Sequence, residues 1–227
     1  MNTKLLARYI VRETLGVIIM AVALFWSAGE TAWWPAWAAT GLTLGWVIAT
    51  AWVILSSNPD LLAERLGPRK GAKSWDTVLL GILGLSQLAR YIVAGFDHRF
   101  GWTGGFPLAV QLIGLALGIL GYSMIVWATA ANAFFSQVVR IQSERGQTVV
   151  SQGPYRAVRH PAYLGASLYE LAVAFLLASW GALALGALNV LLLVIRTFLE
   201  DRTLQAELPG YQEYARRVRY RIFPGVW

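Results

Sequence analysis

Three long stretches of this chain carry no charged side chain: Thr31–Pro59, Phe100–Val139 and Leu171–Ile195. A helix needs about 20 predominantly apolar residues to cross the hydrocarbon core of a bilayer, and each of these stretches exceeds that. Charged residues make up only 14% of the chain and hydrophobic ones 57%, with a mean hydropathy of +0.53, whereas soluble domains are nearer a quarter charged. The chain therefore reads as a polytopic, all-α membrane protein. The apolar run after Lys4, Arg8 and Arg12 leads into AGETAWWPAW without a small-residue cleavage site, and reads as a retained first span.

Hydropathy predicts spans near 14–34, 36–55, 77–96 and 107–131, then a polar segment over 132–165 and an apolar tract over 166–199. That last tract is too long for one crossing and has ASWGAL at its middle, so it reads as a tight hairpin of two short arms. The total is about six membrane helices. With the N-terminus placed in the cytoplasm, all the lysines and arginines except Arg90 and Arg99 fall on inward segments, including Arg65, Arg69, Lys70 and Lys73 between the second and third spans. This asymmetry predicts both termini inside. It also explains the net charge of +7 without a nucleic-acid partner. Trp33, Trp34, Trp37 and Trp102 then form an outer aromatic belt. We divide the chain into 1–131, four N-terminal spans, and 132–227, where the polar residues gather. The glycines of GLALGILG, 114–121, suit close helix packing within or between chains, so the oligomeric state stays open.

The absence of cysteine excludes disulfides and thiolate metal sites, and the histidines and acids show no metal-ligand spacing. Chemistry concentrates instead in GPYRAVRHPAYLG, residues 153–165. Two prolines break the helix there and push the preceding residues into extended geometry, and irregular backbone near membrane depth is tolerated only where it is buried in protein or lines a polar cavity. Arg159 and His160 can grip a carboxylate, Tyr155 and Tyr163 offer ring faces and hydroxyls, and Pro161 suits the first turn of a helix. The simpler reading is a basic loop for lipid headgroups, but that needs neither the prolines nor the histidine. After the hairpin comes RTFLEDRTLQ, in which Arg196 and Glu200 share one helical face and Asp201 turns away. A hairpin brings its ends together, so His160 and Glu200 are expected to be neighbours. Glu170, within the hairpin, either lines that cavity or pairs with an arginine. Glu30 and Arg90 read as structural pairs, and the tail around Tyr211, Tyr214 and Val218 as a pocket lid or a lipid contact.

The motif GxYxxxRHPxYxG, the following acidic pair and the Tyr- and Arg-rich tail together resemble the integral-membrane methyltransferases of the isoprenylcysteine carboxyl methyltransferase type, with their phospholipid methyltransferase relatives. NAFFSQVVRIQSERGQTVVSQ resembles the bacterial members in particular. The resemblance covers about 132–224. It implies an S-adenosylmethionine site, with S-adenosylhomocysteine as product, at the cytoplasmic boundary of a prokaryotic inner membrane, and a lipophilic acceptor arriving from the bilayer. By the same resemblance Gly153, Tyr155, Arg159, His160, Pro161, Tyr163, Leu164 and Gly165, with Gln142 and Val150, would hold the cofactor. Glu200 and Asp201 would close the pocket, and Arg196 and Glu200 are the candidate catalytic residues, Arg196 holding an acceptor carboxylate. Two positions depart from the family pattern: Gln147 stands where a histidine is frequent, and the acidic pair is Glu-Asp. The implied reaction is carboxyl methylation of an isoprenylcysteine-type acceptor. Phospholipid or amine N-methylation is the alternative enzyme activity, and a non-catalytic lipid-binding or carrier protein the alternative from another class.

Overall fold

Six helices follow one another around a closed ring. The computed structural model describes residues 3–66 and 71–227. Its long elements are α1 (Thr3–Ala28), α2 (Trp34–Ser57), α4 (Ser74–Phe100), α5 (Leu108–Ala131), α6 (Pro161–Leu176) and α7 (Trp180–Glu207), with short helices α3 (Asp60–Leu66) and α8 (Tyr211–Arg217) at one end. Helix α1 packs on α2 and α4, α2 on α5, α5 on α6, α6 on α7, and α7 back on α4. All but α6 are long and apolar enough to cross a membrane. Their outward faces carry large exposed hydrophobics such as Val11, Trp52, Leu85 and Leu191, the surface an integral membrane protein presents to lipid.

The first span begins earlier than hydropathy predicts, because the helix runs on through Arg8, Arg12 and Glu13. The hairpin differs more. Its arms are unequal, α6 having 16 residues and α7 having 28. The turn is tight: Ala178 adopts a left-handed φ of 57° and Ser179 Oγ accepts the Ala182 N–H at 3.1 Å, capping α7. At 1.5 Å per residue the arms measure about 24 Å and 42 Å. The shorter one stops inside a hydrocarbon core about 30 Å thick, while the longer one runs past it. Arg69 and Lys70, and part of the 58–76 loop, lie outside the described residues.

One half of the ring is solid and the other hollow. At the hairpin-turn end the core is filled by Met20, Leu24, Ala36, Ala94, Val173, Leu176 and their neighbours. Trp33, expected in the outer belt, packs inward here and stacks on His98 at 4.5 Å, while Trp34, Trp37 and Trp102 remain exposed. His98 in turn bonds Glu30 at 2.7 Å. A polar layer floors the hollow half. Arg90 and Glu170 form a buried ion pair, Gln87 and Asn189 donate to the same carboxylate at 2.9 and 2.7 Å, and Tyr91, Tyr169, Thr43 and Tyr122 continue the network.

The glycines of 114–121 serve contacts within the chain. A Cβ at Gly121 would lie 2.6 Å from the Gly165 carbonyl oxygen, and one at Gly114 would lie 2.6 Å from the Leu176 nitrogen. Gly45 on α2 faces no atom within 4 Å. Gly121→Ala is therefore expected to destabilise by about 1–3 kcal/mol through overpacking. Gly45→Ala, the same change in open space, should be neutral or stabilise by about 0.5–1 kcal/mol. Thermal unfolding of the two variants in detergent checks the contrast.

Candidate functional site

The inequality of the hairpin arms leaves a step at one end of the bundle, and the site lies in that step. Because α6 begins some 16 residues from the turn, its first residues face α7 near Arg196 and leave α7 to continue alone for several turns. The segment 132–160 folds back over this step, and α8 with the tail closes it from the far side. What they enclose is a cavity of about 520 Å³, within the ordinary range for small-molecule sites. Its inner wall includes Trp46, Leu80 and Ile125, and its mouth includes Gln142, Tyr155, His160, Tyr163, Arg196 and Glu200. Polar and apolar surfaces thus share one chamber.

Asp201 organises the mouth. It is 1% exposed and accepts both Arg159 Nε and Nη2, at 2.8 and 2.9 Å, a bidentate pairing. Arg221 Nε reaches it at 2.9 Å and the Tyr211 hydroxyl at 3.0 Å, with His160 Nε2 at 3.4 Å. The remaining nitrogen of Arg159 caps the tail by donating to the carbonyls of Ala215, Val218 and Arg219. The backbone N–H groups of Arg159 and His160 donate to Tyr220 and Arg221 at 2.9 and 2.8 Å. Tyr214 donates to the Tyr155 carbonyl at 2.7 Å. Burial raises the pKa of Tyr155, Tyr211 and Tyr214 above the ordinary phenol value, with the Asp201 charge adding to it at Tyr211. All three hydroxyls therefore stay protonated, Tyr211 and Tyr214 as donors and Tyr155 accepting from the Asn132 amide at 3.2 Å.

Glu200 is placed differently. It lines the cavity, and its one side-chain hydrogen bond among the described residues comes from the neutral Tyr163 hydroxyl, whose ring stacks on His160 at 5.7 Å. Arg196, one turn earlier, is held by Asp76 on α4 at 2.6 and 3.2 Å and by the Gln137 carbonyl at 2.8 Å. The acid that Arg159 grips and the acid that Arg196 grips are both internal to the chain, so neither guanidinium offers a free charge.

Of the residues singled out in the sequence, Gln142, Val150, Tyr155, Arg159, His160, Tyr163, Arg196 and Glu200 line this cavity. Gly153, Pro161, Leu164, Gly165 and Asp201 do not. Gly153 takes a left-handed φ of 56° and approaches Ala131, so it forms the turn; Pro161 opens α6; Gly165 makes the close contact with α5; Asp201 sits behind Arg159. Gln147 bonds the Gln142 backbone N–H at 2.7 Å and helps fix the 142–147 turn. Sequence reading missed Arg65, Gln87 and Trp46 as wall residues, and Asp76 as the acid behind Arg196. Only Asp76 gave a signal, as an acid at the edge of the span that carries Arg90. Glu64, held below its usual pKa by the Arg140 guanidinium, anchors the same wall.

Fold and cavity together define a polytopic helical membrane protein with a ligand-sized chamber at one end of its bundle. The model of the isoprenylcysteine carboxyl methyltransferase (ICMT) family matches residues 112–206 of the chain. The match begins within α5 and ends in the last turns of α7, so it contains the polar segment, the hairpin and Asp201. The cobalt-zinc-cadmium resistance protein CzcN of Cupriavidus metallidurans is 38% identical over 112 residues, 45% of this chain and 46% of that protein. The chain thus spans about half the length of that curated relative. A solved eukaryotic intramembrane Ras methyltransferase ICMT is 18% identical, with a TM-score of 0.47 over 92% of this chain and 84% of that one.

Removing the Asp201 carboxylate leaves Arg159, 6% exposed, without its counter-charge. Asp201→Ala is expected to cost about 3–5 kcal/mol and to free the tail. Limited trypsinolysis should then cut at Arg216, Arg217 and Arg219 many times faster than in the wild type. Glu213→Ala, at an exposed position of α8, should change neither readout.

Proposed function

We propose that the chamber binds S-adenosylmethionine and that the chain is a methyltransferase for a lipophilic, membrane-resident acceptor, most like carboxyl O-methylation of an isoprenylcysteine-type substrate. The excess of lysine and arginine on this side supports a cytoplasmic chamber, and the resemblance to bacterial members supports the inner membrane of a prokaryote. The observation that carries this reading is Glu200: among the described residues it is the one acid that lines the chamber, and its hydrogen bond there comes from a neutral phenol. A carboxylate so placed complements a cationic ligand.

The donor set fits such a ligand. Glu200, the Tyr163 hydroxyl and the amide of Gln142 supply hydrogen-bonding groups, while Val149, Val150, Leu204, Leu208 and Tyr211 give an apolar wall for a flat base. When bound, S-adenosylmethionine supplies an electrophilic methyl group on a sulfonium, and its displacement calls chiefly for alignment and a water-poor, preorganised field. The chain provides both. Tyr163 fixes the Glu200 carboxylate by hydrogen bond, His160 fixes the Tyr163 ring by stacking, and the Asp201 cluster holds the tail across the opening. A carboxylate acceptor is already nucleophilic and needs no base. An amine acceptor would have to lose a proton, which the Glu200 carboxylate can take.

Calorimetry in nanodiscs tests the reading. Wild type is expected to bind S-adenosylmethionine, with binding lost in His160→Ala. Glu200→Gln, which keeps the Tyr163 hydrogen bond but removes the charge, should weaken it on the order of tenfold or more. Folded wild type that binds none would overturn the methyltransferase reading and leave a lipid-headgroup loop in its place.

A further inference from the structure

One cation in the wall of the chamber has no hydrogen-bond or ion-pair partner among the described residues. Arg65, on α3, is 7% exposed and lines the cavity, yet its guanidinium makes no hydrogen bond and no ion pair among the described residues. Its Nε is buried without an acceptor, and its guanidinium lies over the ring of Phe135 at 5.4 Å. The comparable arginines are all neutralised: Arg90 by Glu170, Arg140 by Glu64, Arg159 by Asp201 and Arg196 by Asp76. Glu13 on α1, whose charge reaches Arg65, is bonded instead to Arg12.

A charge taken out of water without a counter-charge is unfavourable, and burial lowers the Arg65 pKa from its ordinary value. The surroundings hold the side chain there nonetheless. Arg12 Nη1 donates to the Arg65 carbonyl at 2.7 Å and to Gln137 Oε1 at 2.9 Å, tying α3 to the segment that passes beneath it. Phe135 precedes Gln137 by two residues, a span of at most about 7 Å, and the Gln137 carbonyl is the one that holds Arg196. Arg65 and the Arg196–Glu200 face of α7 therefore flank the same strip of wall.

We propose that Arg65 is the anion-binding group of the chamber and holds the carboxylate or phosphate head of a lipophilic ligand. The inference deepens the proposed function and rests on it for the ligand's role as acceptor: it transfers to Arg65 the part expected of Arg196, whose charge Asp76 neutralises. The guanidinium fork suits either anion.

Binding of dodecanoate, dodecyl phosphate and dodecanol to the purified protein in dodecyl maltoside, without S-adenosylmethionine, tests it. Partitioning into micelles is common to wild type and variants, so their difference reads the site. Wild type is expected to prefer one of the two anions over dodecanol on the order of tenfold, and which anion wins distinguishes a carboxylate from a phosphate head. R65Q should lose that preference and R65K retain part of it. The R65Q melting temperature should stay equal or rise, since no acid loses a partner, and its S-adenosylmethionine affinity should not change. A wild type without preference for either anion overturns the proposal, as does a preference that survives in R65Q. Loss of S-adenosylmethionine affinity in R65Q with the dodecanoate preference intact would also overturn it, by assigning the guanidinium to the donor's own carboxylate. The amphiphile titration needs no methyl donor, so failure of the methyltransferase reading would show separately.

Discussion

The unequal arms of the α6–α7 hairpin decide where everything else in this molecule can go. A 16-residue helix paired with a 28-residue one leaves a step about 18 Å high at one end of the bundle. That step lies partly below the level where water begins, and bare backbone there must find partners. The chain fills it with irregular structure that is bonded almost everywhere to itself: 3-10 turns at 143–145 and 153–156, the cross-connections of Arg159 and His160 to the tail, and the glutamine pair Gln142–Gln147. A cavity survives because this filling is a wall rather than a plug. Had both arms spanned the membrane, the same residues would have formed an ordinary surface loop.

Asp201 converts the step into an enclosure. Its carboxylate lies near the end of α7, yet it gathers groups from the 153–160 segment, from α8 and from the last residues of the chain. Three separate elements are thereby fixed relative to one another by one buried acid. Arg159 does the complementary work, with one edge of its guanidinium on Asp201 and the other on the carbonyls that end α8. Chemical reach into the chamber is then left to the neighbouring residue, Glu200, which the helical turn directs the other way. The adjacent acids divide structure from chemistry by about 100° of rotation.

Much of this was legible in the sequence, and the reasons differ by element. The long spans could be read because charge-free tracts admit little else. The meeting of 153–165 with 196–201 could be read because a hairpin brings its ends together; Tyr163 stands between the two residues singled out for it, stacked on His160 and bonded to Glu200. What the hairpin's midpoint did not show was its asymmetry, since Pro161 starts α6 late and hydropathy does not record where a helix starts. Asp201 looked like a pocket residue because it adjoins Glu200, and Gly165 because it closes the motif; only packing shows that one faces Arg159 and the other faces Gly121. Arg65, Gln87 and Trp46 were illegible as site residues for a different reason. They come from elements far away in sequence, and nothing local announces a contact made by closing a ring of six helices.

Charge pairing inside the chamber then carries a consequence for what it can hold. Four arginines of the bundle and its rim are each held by at least one carboxylate, so none of them meets an entering ligand as an unpaired charge. The two cavity residues left over are of opposite sign: Glu200, bonded by a phenol, and Arg65, resting on a phenylalanine ring. An apolar ligand would leave both unanswered, and a singly charged one would answer only one of them. The pattern suits two ligands held side by side, one bringing positive charge to Glu200 and the other negative charge to Arg65, with apolar surface between. The cationic donor and anionic acceptor proposed above would answer both charges at once, which a lipid-headgroup loop would not require.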